Sequence, residues 1–131
     1  RTNDYDNPLH VAAGGGHVEI VKFLVGEASS DLEATGRHGS TPLLMASYSG
    51  HLHMVKYLLL EASADIEARN NDQDNALHVA ATRGHMDIVK FLVTEVNSHV
   101  EATNHYGSTS LLLAAYNGHL NIVEHLVLEA N

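Results

Sequence analysis

Residues 41–59, TPLLMASYSGHLHMVKYLL, decide the fold. Thr41 offers a hydroxyl where a helix would start, and Pro42 falls at the first helical position, where its missing N–H costs nothing. Leu43, Ala46 and Ser47 then recur at the i, i+3, i+4 spacing of one helix face. Gly50 follows, the residue type that best adopts the left-handed conformation ending a helix. Beyond it, Leu52, Val55, Leu58 and Leu59 form a second apolar stripe, and the polar, turn-rich SADIEARNNDQD leads away from it. Helices of two or three turns are marginal alone in water. This pair must bury its stripes against a neighbour.

The neighbours lie in the same chain. Gly-His pairs stand at 16–17, 50–51, 84–85 and 118–119, each 34 residues from the last. Around them the same frame returns as NPLHVAAGGGHVEIVKFLV, NALHVAATRGHMDIVKFLV and TSLLLAAYNGHLNIVEHLV. A fixed period of this length marks stacked supersecondary units. The 131 residues therefore read as one domain of four units, about 7–40, 41–74, 75–108 and 109–131, the last cut short. Residues 7–40 and 75–108 share 21 of 34 positions, whereas the first and second units share 14 of 34, so the array is a duplicated pair with a superperiod of 68.

With TPLL…A…GHLHMVKYLLLEASADIEAR on the page, the chain resembles the ankyrin repeat over essentially its whole length. The resemblance implies a mostly α solenoid: a β-turn finger, then an antiparallel helix pair, stacked into a curved array whose concave face is made by fingers and first helices. It also implies a protein-binding scaffold without catalysis, and an intracellular setting. Against the family's Thr-Pro-Leu-His, His10 and His78 keep the histidine, but Leu44 and Leu112 replace it, which puts the histidine tie between loops in doubt for half the units. Each unit is one residue longer than the usual repeat, and the extra residue is expected at the end of the second helix. There Ser29, Ser63 and Asn97 stand in place of the family's Gly, and that loop is expected to be less regular than the rest.

Composition removes several function classes. Seven Lys and Arg against sixteen Asp and Glu give a net charge of −9, which repels phosphate backbones and makes nucleic acid an improbable partner. Cysteine is absent, so disulfide frameworks, thiolate metal sites and cysteine nucleophiles are absent with it. No apolar run approaches the roughly 20 residues that span a bilayer. Hydrophobic residues are 44% of the chain, enough for a core.

No catalytic, cofactor or metal site is expected. His17, His51, His85 and His119 recur once per unit, and packed helices lie about 8–10 Å apart, too far for adjacent rings to share a zinc ion bound at about 2 Å. They read as structural residues at the turn between helices. His51 and His53 are i, i+2 and point to different sides. Asn70, Asp72 and Asp74 alternate like the start of a calcium loop, but Asn75 and Ala81 occupy the positions that need Gly and a bidentate Glu. Gly14-Gly15-Gly16 lacks the Lys-Ser/Thr of a phosphate loop.

Function is then expected at the variable positions. By the frame, the exposed ends of the first helices carry Gly14, Gly15, Tyr48, Ser49, Thr82, Arg83, Tyr116 and Asn117. The fingers carry Asn3, Asp4, Arg37, His38, Asn71, Asp72, His105 and Tyr106, alternating between acidic and basic or aromatic. Tyr and Arg are enriched at interface hot spots. Tyr48, Arg83 and Tyr116 are expected as a ladder of equivalent positions along the concave face, binding a protein or peptide. The competing reading is a structural spacer in a longer array whose active domains lie elsewhere. Residues 1–6 align with 69–74, so the array is expected to continue past this segment, and Ile122, Val123, Leu126 and Val127 are expected to leave an apolar outward face for a further repeat or for self-association.

Overall fold

The computed structural model describes residues 5–129. Asn3, Asp4, the segment 1–4 as a whole and Asn131 lie outside the described residues. Among the described residues, eight α-helices fall into four antiparallel pairs: α1 Pro8–Gly15 with α2 Val18–Gly26, α3 Pro42–Ser49 with α4 Leu52–Lys56, α5 Ala76–Arg83 with α6 Met86–Thr94, and α7 Ser110–Tyr116 with α8 Leu120–Leu128. No strand occurs among the described residues.

Each first helix starts on a side-chain cap. The Thr41 and Thr109 hydroxyls accept the N–H groups of Leu44 and Leu112. Asn7 and Asn75 do more: each accepts the N–H of His10 or His78, whose ring Nδ1 accepts the asparagine N–H in return at 3.0 Å. The far ring nitrogens, Nε2, donate to the Ala34 and Ala102 carbonyls. The tie between loops thus exists in units one and three, while the matching Leu44 is simply buried in the core. Gly50 and Gly84 end α3 and α5 at φ of 86° and 81°, and an added Cβ there would strike a histidine ring of the next unit. Glycine is required at both places for conformation and for room.

The extra residue per unit is absorbed at the end of the second helix. Ala28, Ala62 and Val96 donate five residues back, to Phe23, Tyr57 and Phe91, which widens the last turn. In unit two the widening runs through a π-helical turn, Tyr57–Glu61, that continues α4. Ser29, Ser63 and Asn97 then take left-handed φ of 54°, 61° and 56°, and Ser30, Ala64 and Ser98 close onto Leu24, Leu58 and Leu92. The loop expected to be irregular repeats the same closure in all three units.

First helices pack side by side along the array, α1 on α3, α3 on α5 and α5 on α7, and the second helices form a layer behind them. Met54, Ile88 and Ile122 point back toward the preceding unit and are fully buried. Ile20, their counterpart in the first unit, is 51% exposed, and Phe23 is 59% exposed where Phe91 is buried. The expected apolar outward face of the fourth unit is therefore corrected: Ile122 and Leu126 are buried against the third unit, and the uncovered apolar residues at that end are Leu112, Leu120, Val127 and Leu128, with Val123 half-buried.

A groove between fingers and first helices

The fingers hydrogen-bond to one another in sequence. Asn71 N–H donates to the His38 carbonyl at 3.0 Å, and His105 N–H to the Asp72 carbonyl at 2.9 Å. One step earlier Asp6 takes the Arg37 N–H at 2.8 Å and sits 3.8 Å from its guanidinium. Asn70 and Asn104 brace the finger turns from inside, each accepting two backbone N–H groups through Oδ1. Asn104 also donates to Asp74 at 2.9 Å, tying fingers three and four. These ties hold the fingers as a wall standing off the first helices.

Between wall and helices lies an open groove of about 640 Å³ that spans the first three units. Asp6, Arg37, His38 and Asp72 edge it on the finger side. Val11, Gly14, Met45 and Val79 form its apolar floor, and Tyr48, Ser49, Thr82 and Arg83 stand at the helix ends. Tyr48 is 54% exposed, and the Arg83 guanidinium carbon lies 4.4 Å from the centre of its ring, a cation–π stack across the repeat boundary.

The expected ladder needs correction in its register. Tyr48 and Tyr116 are equivalent positions, and the residue between them in that row is Thr82; Arg83 belongs one position on, with Ser49 and Asn117. Arg83 joins Tyr48 by reaching back over its ring. Tyr116, the last residue of α7 at 89% exposure, and Asn117 just past it lie outside the groove lining, and so do His105 and Tyr106 on the fourth finger. Those last two meet edge to face at 5.2 Å between ring centres, with the Tyr106 hydroxyl 3.4 Å from Asp72. The sequence reading missed Val11, Met45 and Val79 because an apolar residue on a helix reads as core. Their shared position in the repeat, beside the exposed helix end, was the available signal.

The recurrent histidines serve this groove indirectly. His85 Nε2 donates to the Tyr48 carbonyl at 2.8 Å, and His119 Nε2 to the Thr82 carbonyl at 3.0 Å. A carbonyl only accepts, so each Nε2 carries the proton. Those carbonyls are among the helix-terminal groups left without intrahelical partners. Each histidine therefore fixes the helix end of the preceding unit, the end that presents Tyr48 or Arg83, rather than only packing in its own turn. Among the described residues no cluster of three or more His, Asp or Glu side chains is arranged to hold a metal ion, and no helix is long and apolar enough to cross a membrane.

A comparison with curated proteins finds no match. A family model described as ankyrin repeats, three copies, matches residues 1–70 and again 63–131. With that match across its length and the finger, helix and turn architecture above, the chain belongs to the ankyrin repeat family.

Proposed function

We propose that the chain is a non-catalytic scaffold that holds a segment of another protein in the groove between its fingers and first helices. Ankyrin repeats generally act as protein–protein interaction modules and are typically not enzymes. The observation that carries the reading here is the exposed Tyr48–Arg83 stack at the lip of the groove. A spacer has no use for an arginine spread over a solvent-facing aromatic ring, whereas a partner gains area and hydrogen-bond donors already held in place. Tyr48, Ser49, Thr82 and Arg83 are assigned to the partner surface together with Arg37, His38 and Asp72, and His105, Tyr106, Tyr116 and Asn117 extend it toward the fourth unit.

Capture of a binding partner by the chain is expected to fall about thirtyfold, roughly 2 kcal/mol, with Tyr48→Ala or Arg83→Ala, the usual cost of a truncated hot spot. Tyr116→Ala is expected to weaken it less. Lys90→Ala is the control, since Lys90 is an exposed side chain on the second-helix layer. Lys56 is unsuitable because it stacks 5.5 Å from the Phe91 ring centre. Capture that survives all three changes with folding intact returns the chain to the spacer reading.

The exposed Ile20 and Phe23 support a second contact mode, the stacking of another repeat surface on the first unit. Sedimentation is expected to show association that rises with concentration and disappears in Phe23→Glu. A chain that stays monomeric at high concentration removes this mode.

A further inference from the structure

The groove's chemistry goes further than its existence. Resting on the groove reading above, we propose that its occupant is an extended peptide segment with two anchors: an aliphatic or aromatic side chain seated over Gly14, and an Asp or Glu carboxylate received by Arg83.

The apolar anchor follows from a missing side chain. Gly14, Tyr48, Thr82 and Tyr116 are equivalent positions, and only the first is bare. Nothing in the fold forces glycine there. Gly14 lies within α1 in ordinary helical conformation, and a Cβ added to it would meet Met45 Cβ at 3.9 Å and Ser49 Oγ at 4.0 Å, ordinary contact distances. A helical glycine costs about 0.5–1 kcal/mol relative to alanine, so this one carries a stability cost that packing does not explain. The space it leaves opens into the groove beside Val11, which is largely exposed, and Tyr48. Met45 and the Ser49 hydroxyl stand closest to that notch.

The acidic anchor follows from an arginine without a counterion. In a chain of net charge −9, Arg37 has Asp6 beside it, but the Arg83 guanidinium has no carboxylate within 4 Å and no hydrogen bond among the described residues. Its one partner is the Tyr48 ring. A guanidinium holds its N–H groups in its own plane, so stacking on the ring fixes the plane and leaves the donor edge open. That edge matches a carboxylate bidentately. Gly14, Tyr48 and Arg83 line one groove, which makes the two anchors parts of one site.

The test is selection from a displayed library of random 12-residue peptides on the intact chain, followed by calorimetry with the winning peptide as a synthetic ligand. The expected result is a consensus with an apolar residue and an acidic residue at fixed spacing. Arg83→Gln is expected to weaken the winner at least tenfold. Exchanging the peptide's acid for its amide should cost the same, and both changes together little more than either. Gly14→Leu is expected to block the apolar anchor with a similar loss while the melting temperature holds or rises. A consensus lost with Tyr48→Ala but indifferent to Arg83→Gln, or lacking an acidic residue, overturns this proposal and leaves groove binding standing. Peptides that bind Tyr48→Ala and Gly14→Leu as well as the parent, or no enrichment over the Gly14→Leu chain, overturn both.

Discussion

His78→Ala is expected to lower the stability of the chain by about 3 kcal/mol, because it strips one buried and one half-buried backbone group of their partners and leaves a void. His78 is buried, its Nδ1 accepts the Asn75 N–H at 3.0 Å, and its Nε2 donates to the Ala102 carbonyl at 2.8 Å. In a domain of this size the melting temperature should fall by about 10 °C. The same ring gives a pH dependence. Burial holds its pKa below the ordinary 6.5, only partly offset by the bond to Ala102 and by the charge of Asp74, and reinforced by Arg69. Below pH 6.5 the unfolded chain therefore binds the proton more readily than the folded one, and stability is lost as the pH falls from there. Above 6.5 the contribution is complete. Urea unfolding at neutral and acidic pH should show a smaller acid loss in His78→Ala than in the parent; equal losses would show that this ring does not carry the effect.

The second large effect is a contrast between equivalent positions. Ile88→Ala is expected to cost about 3–4 kcal/mol and Ile20→Ala about 1 kcal/mol, although sequence and helix are alike at the two sites. Ile88 is fully buried at the boundary with the preceding unit, whereas half of Ile20 remains in water. Urea unfolding of both variants measures the difference. Equal costs would mean that the units do not bury one another, and the stacking argument for the whole array would fail with them.

Much of the fold was legible because its determinants are local. Thr41 and Pro42 announce a helix start, Gly50 and Gly84 an end, and the spacing of 34 says how often this recurs. What could not be read depends on phase between units. The stripe of α8 contains Ile122 and Leu126, but nothing in its own periodicity says that these point back toward unit three. Ser29 and Ser63 adopt a left-handed conformation that serine rarely takes, and Asn97 the same one, which asparagine accepts more readily; all three are imposed by the closure of Ser30, Ala64 and Ser98 onto the preceding helix. At the groove, exposure of Tyr48 and Arg83 was readable from their place at variable helix ends. Their stacking was not, because it crosses a repeat boundary and joins two different rows.

The histidine ties that cross from one unit to another run one way: His85 reaches back to Tyr48, and His119 to Thr82. The array consequently has a direction that its repeated frame conceals. Removing a unit from the leading end uncovers the apolar residue that packs back against it, as Ile20 is uncovered in the first unit, while removing one from the trailing end releases the helix terminus of the unit before it. Loss from the carboxyl side should thus loosen a helix end that faces the groove, whereas loss from the amino side should bare a core side chain of the next repeat.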